Sequence, residues 1–263
     1  MDLGLRGKAA LVTAASRGLG RAIAETLAAE GASLVICARG ADALDQARAA
    51  IAERTGVEVD SIVADLATED GIARAWQHAR DRLGRVDVLV TNAGGPPSGP
   101  FENHDWSAWQ HAVELTLRSA VELTRLVLPG MKERQWGRIL NVTSIAVKQP
   151  VDGLMLSNSL RAAVTGFART LANEVARYGV TVNNILPGYT RTERVEQLNA
   201  ATAAREGISA EEVSRRIEAQ IPMRRLGEPH EFAALAAFLA SEQAAYITGQ
   251  SIAVDGGWIR ALL

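Results

Sequence analysis

Short β-branched apolar runs alternate with longer segments of helical spacing along almost the whole chain, and this alternation constrains the fold more than any other feature. The runs lie at residues 9–13, 33–37, 57–63, 86–91, 138–143, 180–186 and 251–254. Segments of helical spacing lie between them at 19–30, 42–54, 69–83, 106–131, 154–178 and 230–241. Several runs are apolar almost throughout, as strands covered on both faces must be. Strand–helix alternation implies right-handed crossovers and an α/β fold, a doubly wound parallel sheet of about seven strands with helices on both faces. Ligands of such sheets sit beyond the carboxyl ends of the strands. The chain shows no repeat, low-complexity tract or Pro/Ser-rich linker, so one domain over 1–263 is expected. Its cofactor half covers roughly 1–135 and its catalytic and substrate half roughly 136–263.

Composition excludes other classes. Apolar residues make up 48% of the chain, and the net charge is −2. Nothing in that balance suggests a nucleic-acid partner or an anionic membrane surface. No uninterrupted apolar stretch reaches the length of a membrane span. The single cysteine, Cys37, has no internal disulfide partner, and MDLGLRGK carries no apolar signal-peptide core. Both features lead us to expect a cytoplasmic protein. The sequon at Asn141-Val142-Thr143 is then coincidental.

After the first run comes Thr13-Ala14-Ala15-Ser16-Arg17-Gly18-Leu19-Gly20, leading into an Ala-rich helix. Glycines in a strand-to-helix turn let the backbone approach a pyrophosphate, whose charge then meets the helix N-terminus. The alternative is an ordinary tight turn. An NAD site places an acidic residue after the second strand to hold the adenosine ribose. Here that place reads Val35-Ile36-Cys37-Ala38-Arg39-Gly40, with no acid. Arg39, and Arg17 within the turn, suit a 2′-phosphate, so NADP(H) is expected ahead of NAD(H). Otherwise Arg39 is a solvated surface arginine.

These motifs resemble those of the short-chain dehydrogenase/reductase family over nearly the whole chain. Thr13-Ala14-x-x-x-Gly18-x-Gly20 is similar to its Thr-Gly-x-x-x-Gly-x-Gly signature, with Ala14 in place of the first glycine. Thr91-Asn92-Ala93-Gly94 resembles Asn-Asn-Ala-Gly, and Asp65-Leu66 resembles the pair that lies against adenine. Pro187-Gly188, followed by Thr190 and Thr192, resembles the segment beside the nicotinamide carboxamide. Asp255-Gly256-Gly257 resembles the family's usual C-terminal strand end, and Arg224–Pro229 and Ile247–Gln250 are similar to the subgroup that includes the 3-oxoacyl-acyl-carrier-protein reductases. The resemblance implies a Rossmann-type fold. It implies a dinucleotide held by Thr13, Ser16, Arg17, Gly18, Leu19, Gly20, Arg39, Asp65, Leu66, Asn92, Ala93, Gly94, Arg161, Pro187, Gly188, Thr190 and Thr192. The methyl group of Ala14 opposes an easy positive φ and crowds the turn slightly.

The family reduces ketones with Ser, Tyr-x-x-x-Lys and often an Asn. Ser144 keeps the serine. The tyrosine position reads Ser157, the lysine position Arg161 and the asparagine position Thr116. No tyrosine precedes Tyr178; the other two are Tyr189 and Tyr246. A phenol titrates near ~10 and a neighbouring cation can tune it toward neutrality, whereas an aliphatic hydroxyl is a far weaker acid. Arginine can bind a ribose but cannot act as a base at neutral pH. Three proton donors stay open: Lys148 on the loop bordering the cleft, Tyr189 beside the nicotinamide segment, and a water chain through Ser144 and Ser157. The alternatives are a surface lysine and a packing tyrosine.

Residues 191–221 break the rhythm: polar, Ala/Glu/Arg-rich and helical, flanked by Pro187-Gly188 and Pro222. A helical insertion over the cleft, able to act as a lid, is expected; a plain exposed helix pair is the alternative. His230-Glu231 lacks a second ligand at position 234, and His78, His104 and His111 show no metal spacing, so no metal site is expected. Trp106 and Trp109 read as packing. Two functions stay open. One is an NADP(H)-dependent reductase or dehydrogenase acting on a 3-oxoacyl thioester or another small ketone or alcohol through an atypical site. The other is a catalytically silent NADP-binding sensor or partner subunit. Arg134 and Arg177 are candidates for meeting an acidic carrier protein. Family resemblance implies self-association, as a homotetramer or homodimer, through helices 106–131 and 154–178.

Overall fold

The computed structural model describes residues 1–262. Its strands are β1 (Ala9–Thr13), β2 (Ser33–Ala38), β3 (Val59–Val63), β4 (Val88–Thr91), β5 (Gly137–Val142), β6 (Val180–Pro187) and β7 (Ser251–Val254). They form one parallel sheet in the order β3-β2-β1-β4-β5-β6-β7. The order reverses between β1 and β4, which pair at Ala10↔Val88, Leu11↔Leu89 and Val12↔Val90. A crevice must open there, because the loops leaving β1 and β4 run to opposite faces.

Both sheet faces are apolar because helices cover both. Ala10, Val12, Leu34 and Ile36 pack under α1 (Gly18–Ala29), α2 (Ala41–Thr55) and α9 (Pro229–Ala240). The intervening Leu11, Val35 and Cys37 point the other way, under α3 (Glu69–Leu83), α5 (Ser119–Glu133) and α6 (Met155–Val175). Adjacent residues of one strand thus feed two cores, so a run with no polar alternation is what this sheet requires.

The elements differ from expectation at their ends and in one interior. The run at 57–63 pairs only from Val59, and that at 86–91 only from Val88. Position 87 interrupts the second: buried Asp87 accepts from the Ala9 N–H at 3.0 Å and meets Arg134 Nε at 3.3 Å. Arg134 is thus held at Asp87 and, through Nη2, at the Val86 carbonyl, 2.9 Å away. The helix expected over 106–131 is broken. α4 (Trp106–Ala112) leads into α5 through a π-helical stretch, Val113–Arg118, which carries Thr116 toward the crevice. Trp109 packs beside Ala112 and Leu156 as expected, whereas Trp106 is 71% exposed. The insertion is two helices, α7 (Glu193–Glu206) and α8 (Ala210–Gln220), turned by Gly207 at φ 68°.

Candidate active site

The carboxyl ends of β1, β2, β4, β5 and β6 border one cleft of about 560 Å³, and α7 lines one side of it. That volume suits a small-molecule or cofactor site.

The β1–α1 turn forms one wall. Gly18 has φ +57°, and Ala14 holds φ +48° despite its methyl group. A left-handed conformation costs a non-glycine residue about 1–2 kcal/mol, so this turn is held under strain. Gly20 permits the close approach of α1: a Cβ there would lie 2.3 Å from the Ala14 carbonyl oxygen and 2.8 Å from Asn92 Nδ2. Arg17 occupies the α1 N-cap without a side-chain capping hydrogen bond, leaving the first-turn N–H groups without a capping partner. An open helix N-terminus behind a turn too tight for a side chain fits a dinucleotide pyrophosphate. Ser16, Gly18 and Leu19 line the cleft. Thr13 does not; buried, it stitches the two walls, its Oγ1 donating to the Asn92 carbonyl at 2.6 Å and accepting from the Asn92 N–H at 2.8 Å.

The two expected phosphate-binding arginines differ. Arg39 is exposed at the end of β2, lines the cleft and has no ion-pair partner among the described residues. Arg17 is bound across the cleft mouth by Glu193, the first residue of α7. Asp65 turns its own loop, accepting from the Ala67 N–H at 3.0 Å, and lines the cleft with Leu66. Asn92, Ala93 and Gly94 line it from β4. Pro187, Gly188, Thr190 and Thr192 line it from β6, and Thr192 caps α7 by accepting from the Val195 N–H.

At the other end stand the expected catalytic positions. Ser144 leaves β5 with extended backbone, and its Oγ accepts from the Ala146 N–H at 3.0 Å. Ser157, buried in the first turns of α6, accepts from Arg161 Nε at 3.2 Å. Each hydroxyl keeps its own hydrogen to donate into the cleft. Arg161 is also buried and donates from Nη1 to the Val142 carbonyl at 2.7 Å and from Nη2 to the Ala93 carbonyl at 3.4 Å. It ties α6 to the ends of β5 and β4. Burial, aided by the charge of Arg194, lowers its pKa to about 10, so it stays a cation at neutral pH. Behind it, Thr116 and Thr143 place buried hydroxyl oxygens with no protein partner. They line a void of about 10 Å³, room for one water.

The two remaining candidate donors part ways. Lys148 is exposed and does not line the cleft. Ile145 and Ala146 bury one side of the short turn before it, which directs the lysine outward. Tyr189 does line the cleft, edge-to-face with Trp258 at a centroid distance of 5.9 Å. Burial, then the Asp152 carboxylate, pushes its phenol above the usual range. That direction makes it a weaker acid than a free tyrosine.

Sequence reasoning passed over Arg194. This α7 residue donates from Nη2 to the Pro96 carbonyl at 3.0 Å and lines the same cleft. Among the described residues, no group of three or more His, Cys, Asp or Glu stands together as metal ligands would. No helix among them is long and apolar enough to cross a membrane.

Comparison with known proteins agrees with this geometry. The family described as Enoyl-(Acyl carrier protein) reductase matches residues 13–259. The chain is 37% identical over 264 residues to the D-beta-hydroxybutyrate dehydrogenase of Cupriavidus necator, covering 97% of this chain and 99% of that one. It is 36% identical over 255 residues to the 3-oxoacyl-[acyl-carrier-protein] reductase of Vibrio cholerae, covering 97% and 98%. The L-sorbose reductase of Gluconobacter frateurii, solved with NADPH and L-sorbose, superposes with a TM-score of 0.94 at 35% identity, covering 100% of both chains. The chain belongs to the short-chain dehydrogenase/reductase family and is an oxidoreductase acting on CH–OH and C=O groups.

Proposed function

We propose that the protein is an NADP(H)-dependent reductase of a small ketone, working through Ser144, Ser157 and Arg161. One observation carries the reading: a single cleft has the tight glycine turn and the unpaired Arg39 at one end and the two serine hydroxyls backed by Arg161 at the other. The turn and the α1 N-terminus would hold the pyrophosphate, and Arg39 the 2′-phosphate. Asn92, Ala93, Gly94, Pro187, Gly188, Thr190 and Thr192 flank the nicotinamide, and Asp65 and Leu66 the adenine. Bound there, NADPH would supply the hydride that reduces the carbonyl.

Ser144 and Ser157 donate hydrogen bonds to the carbonyl oxygen. Arg161 polarises Ser157 and stabilises the charge that develops as the alkoxide forms. The proton that completes the alcohol reaches that oxygen through the serine pair from solvent, since Tyr189 is made a poorer acid by its surroundings and Lys148 faces away. α7 and α8 act as a lid, with the Arg17–Glu193 pair as its latch. Bound as part of a homotetramer or homodimer, copies would meet through α4–α5 and α6, a state that a solution mass measurement checks. We place the protein in the cytoplasm.

The experiment is equilibrium titration with NADPH and NADH, followed by stopped-flow oxidation of bound NADPH over a panel of ketones. NADPH binding at least about tenfold tighter than NADH, and oxidation with at least one ketone, are expected. Tight NADPH binding with no oxidation on any ketone would establish the silent binding protein instead.

A further inference from the structure

The substrate end of the cleft carries more positive charge than the carbonyl chemistry needs. Arg161 and Arg194 both face it, and neither has a carboxylate within ion-pair distance among the described residues. Arg138 gives the contrast with Arg161: also buried, it meets Glu242 at 3.8 Å and lies over the Trp136 ring at 4.3 Å. A buried cation is ordinarily matched this way, because removing charge from water without a partner is costly. The acids that line the cleft are engaged elsewhere. Glu193 holds Arg17 and Asp65 turns its own loop. Asp152 is exposed and does not line the cleft.

The donor count points the same way. A guanidinium has five N–H donors. Arg161 gives protein acceptors three, to Ser157, Val142 and Ala93. Arg194 gives one, to Pro96. Arg194 also reaches across the cleft from α7 to lie on the Gly95 backbone, where a Cβ would sit 2.7 Å from its Nη2. Glycine at 95 is what lets the fork seat there. Burial depresses the pKa of both arginines. Apolar residues Val151, Leu154 and Leu198 form the adjoining wall.

We propose that Arg194, backed by Arg161, binds the carboxylate of the substrate, so that the ketone reduced is a short aliphatic keto acid. This rests on the reductase reading above. The carboxylate accepts a bidentate pair from Arg194, the short chain lies on the apolar wall, and the ketone oxygen falls to Ser144 and Ser157. Reduction forms a C–H bond from the nicotinamide hydride and an O–H bond from the relayed proton. The product is a hydroxy acid and NADP+.

The test pairs 2-oxobutanoate and 3-oxobutanoate with their ethyl esters. Calorimetry on the NADP+-loaded protein reads binding without turnover. At least one acid binds about 10- to 100-fold tighter than its ester, and Arg194→Met removes that difference while leaving NADPH affinity within about twofold. In steady state the same variant raises KM for the acid by a similar factor and so removes the preference for the acid over the ester. Equal binding of acids and esters overturns the proposal. So does a tenfold loss of NADPH affinity in Arg194→Met, which would assign that arginine to the cofactor diphosphate. Failure of the wild type to bind NADPH refutes the reductase reading instead. The acid–ester comparison on the free protein then decides the carboxylate site by itself.

Discussion

The two ends of the cleft are built differently. At the β1–β4 end the backbone sets the geometry: glycine at 18 and 20, Thr13 stitching the walls, and Ala14 held in a glycine-like left-handed conformation. At the β5–α6 end, on the proposed reading, the chain keeps the positions and changes the chemistry: Ser157 and Arg161 stand where the resemblance implies a phenol and an ammonium. A turn that holds phosphates works through backbone N–H groups and steric room, so its side chains are almost fixed. A site that moves a proton depends on the acidity of a particular group, and hydroxyl, water and guanidinium can share that task differently. Arg161 also carries a structural duty, because its guanidinium ties three chain segments together.

The strongest way to break the comparison is at Gly20. Gly20→Val sets a side chain against the Ala14 carbonyl and Asn92, both of which must move. NADPH affinity should fall more than about 100-fold in a fluorescence titration; retention within threefold would mean that the turn does not hold the cofactor. Next is Arg161→Met. It leaves the Val142 and Ala93 carbonyls without their donor, which outweighs the relief of burying no charge. Urea unfolding should show a loss of about 2 kcal/mol, and turnover should drop at least about tenfold. The wild-type pH profile sharpens the point. Turnover that needs the Arg161 cation stays present below its pKa and is lost as pH rises through about 10. A loss centred near neutrality would assign the limiting group elsewhere.

Arg39→Ala tests the adenosine end alone. It should weaken NADPH by about tenfold and leave NADH unchanged, as read by paired titrations. The smallest effect is at Ala14. Ala14→Gly relieves φ +48° and should raise stability by up to about 1 kcal/mol in urea, with NADPH affinity intact. Destabilisation would show that the methyl group contributes packing worth more than the strain.

The alternation of runs made the sheet and its strand ends readable, because apolar runs of that length have few other ways to be covered on both faces. Arg194 was not readable: its acceptor Pro96 lies 98 positions away, and from sequence it belongs to a polar surface helix. The Arg17–Glu193 pair spans 176 positions and equally needs the insertion's fold to be known. The π-helical turn at Val113–Arg118 left no mark in the periodicity, since one added residue shifts an amphipathic pattern by less than its own irregularity. Lys148 looked placed for catalysis because its loop borders the cleft, but the direction of a side chain on a short turn depends on which neighbours bury.

The central claim is that Ser157, backed by Arg161, performs part of the chemistry without being needed to hold the dinucleotide. Single-turnover oxidation of bound NADPH by Ser157→Ala tests it most directly, with a responsive ketone chosen on the wild type. The account expects unchanged NADPH affinity and an oxidation rate reduced about 10- to 100-fold. An oxidation rate equal to that of the wild type would contradict it.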